Sequence, residues 1–264
     1  MSLNNGKESK ADKRHKKILR FFDHKDKLKV TELSSSLEVT EETIRRDLEI
    51  LEEQNFLIRI RGGAIEKKSE GFETPALERE RKYLPEKNAI AKKACSFIEE
   101  GEIIAIDASS TCLQIAKNIE NKPLTVITNS IQVSIELAKK KKITVILTGG
   151  YLRHESMSLV GVSSDKVIND YHIDKFFISS AAIHSEWGIS DSHEMQAKTK
   201  KRIADLSESI IVLADHSKFD QKSLVRWLPI ENVRMVITDD ALSKEQLDRY
   251  QEKVTEVIVV NPEI

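Results

Sequence analysis

Residues 39–64 read VTEETIRRDLEILEEQNFLIRIRGGA, and this stretch decides the fold of the N-terminal part. Thr40 is a good helix N-cap, and Glu41 and Glu42 suit the positive end of the helix dipole that follows. Ile44, Leu48 and Leu51 recur at i, i+4 and i+7, so the spacing predicts an amphipathic helix running to about Glu53. The apolar run 56–61 then reads as a strand, ended by Gly62-Gly63. Upstream, Ile18, Leu19 and Phe22 fall on one face of a helix predicted over 13–25, and Val30, Leu33 and Leu37 on one face of a helix over 30–37. Three short helices, the last two parted by a tight break, and then a glycine-ended hairpin make a winged helix-turn-helix.

With Ile44, Leu48 and Leu51 turned to the core, a step of about 100° per residue puts Glu42, Arg46, Glu49 and Glu53 on the opposite face, with Arg45 at its flank. Glu49 and Glu53 sit badly over phosphates, so only the first two turns suit a major groove. Arg46 is the candidate for a base edge, because a guanidinium bridges guanine O6 and N7. Thr43, Arg45 and the wing arginines Arg59 and Arg61 are the candidates for phosphates.

Residues 66–76, EKKSEGFETPA, are poor in apolar side chains and contain Gly71 and Pro75. They read as a linker between a DNA-binding domain over 11–65 and a second domain over 77–264. Residues 77–99 look helical, in two pieces broken near Pro85. From Ile103 onward short apolar runs alternate with helical stretches: 103–107, 124–128, 143–147, 174–179, 209–214, 233–238 and 256–260. Strands without internal alternation are covered on both faces, the mark of a mostly parallel sheet wrapped by helices.

In such a sheet ligands bind outside the carboxyl ends of the strands. Three ends carry small polar residues: Asp107 with Ser109, Ser110 and Thr111; Thr128 with Asn129 and Ser130; and Thr148 with Gly149 and Gly150. The first two open into predicted helices, whose free N–H groups and hydroxyls suit an anion. Asp107 is a candidate acceptor for ligand hydroxyls. Lys218, just past the run at 209–214, is a candidate for neutralising an anion, and Lys87 is a lesser one of the same kind.

The rest of the composition excludes more than it assigns. The chain has 264 residues, 39% hydrophobic and 32% charged, ordinary for globular domains with a real core. No run of eighteen apolar residues offers a membrane span, and MSLNNGKESK at the start has no apolar core of a signal peptide. Cys95 and Cys112 form no CxxC pair, which fits a reducing cytoplasm. Residues 1–65 carry a net +2 and the remainder −3, an asymmetry of the right sign for a DNA-binding head. His184, His193 and His216 show no metal-ligand spacing, and no cofactor is expected. Cys112 reads as a small half-buried side chain, and Trp187 and Trp227 as packing residues.

The chain closely resembles the DeoR family of bacterial regulators. The resemblance rests on Arg14-His15, Glu32-Leu33, Thr43-Ile44-Arg45-Arg46-Asp47-Leu48 and Arg59-Ile60-Arg61-Gly62-Gly63-Ala64 in the head. It continues through Glu86-Lys87, Ile106-Asp107, Leu124 to Ser130, Leu147 to Gly150, Gly161, Asp174-Lys175, Gly188 and Ala214 to Phe219. It implies an α/β fold in which the winged helix-turn-helix precedes an isomerase-like, Rossmann-type sensor domain for phosphorylated sugars or polyols. It also implies a repressor of a sugar-utilisation operon, acting on double-stranded operator DNA as a homo-oligomer, dimer or tetramer. The alternative reading is a sugar-phosphate isomerase carrying a DNA-binding head, with Asp107 and Lys218 as an acid/base pair. Ser109-Ser110-Thr111 departs from the family, many members of which have a glycine followed by two threonines after the aspartate of the first strand, and Ser179-Ser180-Ala181 stands where glycines are common. Lost glycines alter how closely backbone approaches a ligand.

Overall fold

The computed structural model describes residues 10–22, 25, 27–53, 56–66 and 75–262, and the chain divides into two units, Met1–Glu70 and Gly71–Ile264. The first unit contains α1 (Lys10–Phe21), β1 (Lys27–Lys29), α2 (Val30–Leu37), α3 (Glu41–Glu53), β2 (Leu57–Ile60) and β3 (Gly63–Glu66). The strands form an antiparallel sheet in the order β1-β3-β2. Ile18, Leu33, Ile44, Leu48 and Leu51 bury the facing sides of the helices against Leu28, Leu57 and Ala64. The tight break is Glu38, left-handed at φ 54°, whose N–H donates to the carbonyl of Ser34. Thr40 caps α3, its hydroxyl accepting from the Thr43 N–H at 3.2 Å. Gly63 is obligatory for space, since a Cβ there would lie 1.9 Å from the Leu28 carbonyl oxygen. Strand β1, which pairs across that glycine, was not foreseen in the sequence.

The second unit begins with α4 (Ala76–Arg81), α5 (Leu84–Cys95), β4 (Ile103–Ile106), α6 (Ser110–Asn118), β5 (Leu124–Thr128), α7 (Ile131–Leu137) and β6 (Ile143–Leu147). It continues with β7 (Tyr151–Arg153), β8 (Ser158–Val160), α8 (Val162–Ile168), β9 (Ile173–Ile178), β10 (Ala182–His184), β11 (Gly188–Asp191) and α9 (Glu194–Asp205). The last elements are β12 (Ser207–Leu213), a 3-10 turn at His216–Lys218, β13 (Val225–Leu228), a second such turn at Ile230–Asn232, β14 (Met235–Asp239), α10 (Lys244–Gln251) and β15 (Glu256–Val260). Seven strands form one parallel sheet in the order β15-β14-β12-β9-β4-β5-β6. Both faces are covered. Ile104 and Ile106 of β4 pack with Ile90 of α5 and Ile115 of α6, while Ala105 between them packs with Ile203 of α9.

The chain breaks between helices at Lys82-Tyr83, earlier than the expected position near Pro85. Tyr83 is left-handed at φ 55°, and Pro85 lies in the first turn of α5, where a missing N–H costs nothing. The hairpin β7–β8, the antiparallel sheet β10-β11-β13 and α8 are additions to the expected pattern. The expected linker falls mostly on 67–74, which lie outside the described residues.

Candidate functional site

In the first unit, α3 turns Asp47 inward, 3% exposed. Its carboxylate takes a two-point contact from Arg14, Nε at 2.5 Å and a terminal nitrogen at 2.8 Å, and His15 Nε2 lies 2.9 Å away. This binds α1 to α3 and gives Arg14, His15 and Asp47 a structural purpose that spacing alone did not reveal. The outward face carries Glu42, Arg45, Arg46, Glu49 and Glu53, all exposed. Arg45 is held by Glu41 at 2.6 Å. Arg59 reaches Glu49 at 3.2 Å, and its backbone N–H donates to Glu52. The wing thus covers part of the acid on the C-terminal half of α3. The Thr43 hydroxyl lies 2.9 Å from that of Thr40, within the cap. Arg46 and Arg61 are exposed, and no ion pair of theirs is found among the described residues.

In the second unit the strand order reverses between β4 and β9, because the chain runs from β4 outward to β6 and then returns to the other side of β4. Asp107 and Ser179 stand at this switch point, just past the carboxyl ends of the two strands. The Asp107 carboxylate faces Lys200 of α9, 3.3 Å away, and accepts from the Ser179 N–H at 3.4 Å. Lys200 also meets Asp191 at 3.0 Å and donates to the Ser179 carbonyl at 2.7 Å. Asp191 accepts in addition from the Ser180 hydroxyl and from Trp227 Nε1, each at 2.9 Å. All three charges are buried. Burial opposes the ammonium, but the two carboxylates outweigh it and hold the Lys200 pKa above its ordinary value. Lys200 and Asp191 were missed because nothing in their spacing marks them; only the topology brings α9 and β11 to the switch point, where Ser179 and Ser180 were noted for their lost glycines alone.

The remaining strand-end residues divide by task. Ser109 caps α6, its hydroxyl accepting from the Cys112 N–H at 3.1 Å, so the helix start carrying Ser110 and Thr111 lies beside Asp107. Thr128 donates to the Ile106 carbonyl and accepts from the Ser130 N–H. Asn129 donates its amide to the Leu159 carbonyl of β8 at 3.2 Å and leaves Oδ1 buried without a partner. Gly150, at φ 114°, faces the Val160 carbonyl, which a Cβ would approach to 2.6 Å. Asn129 therefore fastens β8 of the hairpin to the end of β5, Gly150 lets the two arms of the hairpin close on each other, and Thr128 ties β5 to β4. Gly149, at φ 70°, has open space around it. Cys112 is fully buried rather than half-buried, its thiol donating to the Phe177 carbonyl at 3.4 Å, and burial pushes its pKa up.

At the end of β12, Asp215 caps the turn that carries Lys218, accepting from the Ser217 N–H. The other Asp215 oxygen is buried and unpartnered. Lys87 is also buried, and its ammonium donates to the Arg79 carbonyl at 2.5 Å and to that of Lys82. Burial lowers its pKa to about 8, against the nearby Asp215 charge and with help from Lys218. Lys87 thus fastens the end of α4, and Lys218 is left as the more open cation of the pair.

Residues 14–70 match the model of the DeoR-like helix-turn-helix domain, and residues 82–240 that of the DeoR C-terminal sensor domain. The chain is 38% identical to a Bacillus subtilis protein named as the uncharacterized HTH-type transcriptional regulator YulB, over 94% of this chain and 96% of that one. It is 35% identical to the HTH-type transcriptional regulator GolR of Listeria innocua, over 90% and 94%. It is 34% identical to the HTH-type transcriptional repressor GlcR of B. subtilis, over 92% and 93%. Among solved structures, ribose 5-phosphate isomerase A from Neisseria gonorrhoeae is 18% identical, with a TM-score of 0.39, over 52% of this chain and 53% of that one.

Proposed function

The chain belongs to the DeoR family of transcription regulators, and from that premise we propose that it represses a sugar-utilisation operon and is released from operator DNA by a phosphorylated sugar or polyol. The observation that carries the effector half is the α6 start. Ser109 caps it, Ser110 and Thr111 stand on its first turn, and Asp107 lies directly before it. Backbone N–H groups at a helix start favour an anion, and Lys218 supplies a cation from the end of β12. The DNA half is supported by Arg46, exposed on α3 between partners that neutralise its neighbours. One relative is named a repressor, which favours repression for this chain as well.

Isomerase chemistry at Asp107 would need that carboxylate free to move protons, whereas it is taken up by Lys200. Incubation with pentose and hexose phosphates, with product analysis, is expected to show no turnover. An even-numbered homo-oligomer fits the reading, because one winged head has a small footprint and two on one assembly raise the effective concentration. A cytoplasmic setting goes with it. Among the described residues no helix is long and apolar enough to cross a membrane. The reading is tested by thermal unfolding of the full chain against a panel of phosphorylated sugars and polyols: a specific stabiliser supports it, and a flat panel contradicts it.

A further inference from the structure

At the end of β14, which adjoins β12, Asp239 is fully buried and grips His216 of the Lys218 turn twice. It accepts from the His216 backbone N–H at 2.8 Å and from its Nδ1 at 3.0 Å. A third bond, from the Ala241 N–H at 3.0 Å, fixes the carboxylate itself. The imidazole also stands edge-on to the Tyr83 ring, with centroids 4.8 Å apart. Its orientation is therefore set from two sides, by β14 and by the start of α5. With Nδ1 directed at Asp239, Nε2 faces away. No described residue hydrogen-bonds to Nε2, and 29% of the side chain remains open to solvent.

We propose that His216, aimed by Asp239, is an anion-binding residue of the effector pocket and contacts the phosphate group beside Lys218 and the α6 start. This rests on the reading of a phosphorylated effector given above. The chemistry requires the imidazolium: with Nδ1–H donating to Asp239, a neutral ring offers only an acceptor at Nε2, whereas the cation donates from both nitrogens. The groups around it favour that cation. Asp239 contributes most, burial opposes it, and the charges of Asp239, Asp215 and Glu86 add to it, so the His216 pKa is raised. Tyr83 faces it from the cap of α5 and Glu86 acts on it from the first turn, while Lys218 shares its own turn. Asp239 itself is pushed up by burial, but the bonds from His216 and Ala241 hold it below its ordinary value, so it remains an acceptor. His216 carries no signal of this in the sequence, because its partner lies 23 residues away on another strand.

The test uses sulfate, which stays dianionic across the range, and the thermal unfolding of the full chain at about pH 5.5 to 9 in chloride of matched ionic strength. In the parent, stabilisation by sulfate is greatest at the acid end and falls as pH rises through the titration of His216. In His216→Gln that limb is absent, and binding at the acid end is weaker by on the order of tenfold, the loss of one charge-assisted contact. In Asp239→Asn the limb persists but moves to lower pH, a displacement that a merely structural pair would not produce. A His216→Gln variant with the parent profile overturns the proposal and leaves the limb to Lys87. No stabilisation of the parent at any pH overturns the anion pocket itself, and this inference with it. Should His216→Gln fail to fold, NMR titration of the His216 imidazole in the parent decides: sulfate must raise its pKa, and an unmoved pKa refutes the contact.

Discussion

Lys200 holds two buried carboxylates that would otherwise repel each other, so its removal has a large and pH-dependent effect. In Lys200→Met, Asp107 and Asp191 lose their shared cation, and breaking a buried pair from one side costs about 3–5 kcal/mol. Burial already pushes the Asp107 pKa up, and without Lys200 nothing offsets it, so the deficit grows as pH rises through that value and shrinks in acid. Urea unfolding at about pH 5 and pH 8 measures this; equal losses at both would contradict the ion-pair account. The His216–Asp239 pair has a defined window. The raised His216 pKa gives stability that is complete below about 6.5 and is lost as pH rises through the folded value. The lowered Asp239 pKa gives stability present above about 3.9 and lost as pH falls through its folded value. Asp239→Asn should therefore destabilise more near pH 6 than near pH 9. In the head, Arg46→Ala is expected to remove operator preference at a cost of about 1–3 kcal/mol. Arg61→Ala is expected to weaken all DNA alike and lower the salt slope by about one unit. Competition gel shifts with operator and scrambled DNA separate the two, and unchanged discrimination by the Arg46 variant would remove that assignment.

At the scale of elements, periodicity made the large parts legible. The i, i+4, i+7 spacing of Ile44, Leu48 and Leu51 placed α3, and the unbroken apolar runs placed all seven strands of the parallel sheet to within about two residues. What it could not place were short elements whose existence depends on partners far away. The three-residue strands β1, β7, β8 and β10 have no period to show, and β1 exists because Gly63 lets Leu28 approach. The site divides the same way. Asp107 and the Ser109–Thr111 helix start were visible as polar residues after an apolar run. Lys200, Asp191 and Asp239 were not, since each acts through a contact set by topology. Gly150, a candidate for the effector, has a packing duty that the sequence did not show: Gly150→Ala should lower stability by about 1–3 kcal/mol through strain at φ 114° and the clash with Val160. A thermal melt indistinguishable from the parent would show that the hairpin yields without cost.

In the whole molecule, the unit with the helix-turn-helix is joined to the sensor unit by a segment that lies largely outside the described residues. Coupling requires that the effector bind the DNA-incompetent state more tightly, because a ligand with equal affinity for both shifts nothing. Lys218→Ala is therefore expected to leave operator affinity intact and abolish relief by the effector. Sedimentation of the full chain should show an even-numbered assembly, and a monomer at micromolar concentration would count against paired heads on one operator. The most direct measurement is the affinity of the full chain for operator DNA selected from random sequence, by fluorescence anisotropy, with and without each member of a phosphorylated sugar and polyol panel. The account predicts tight binding that one class of compound weakens by about 5- to 150-fold, an ordinary coupling of about 1–3 kcal/mol. Affinity unmoved by every compound, including one that stabilises the protein against heat, would contradict it.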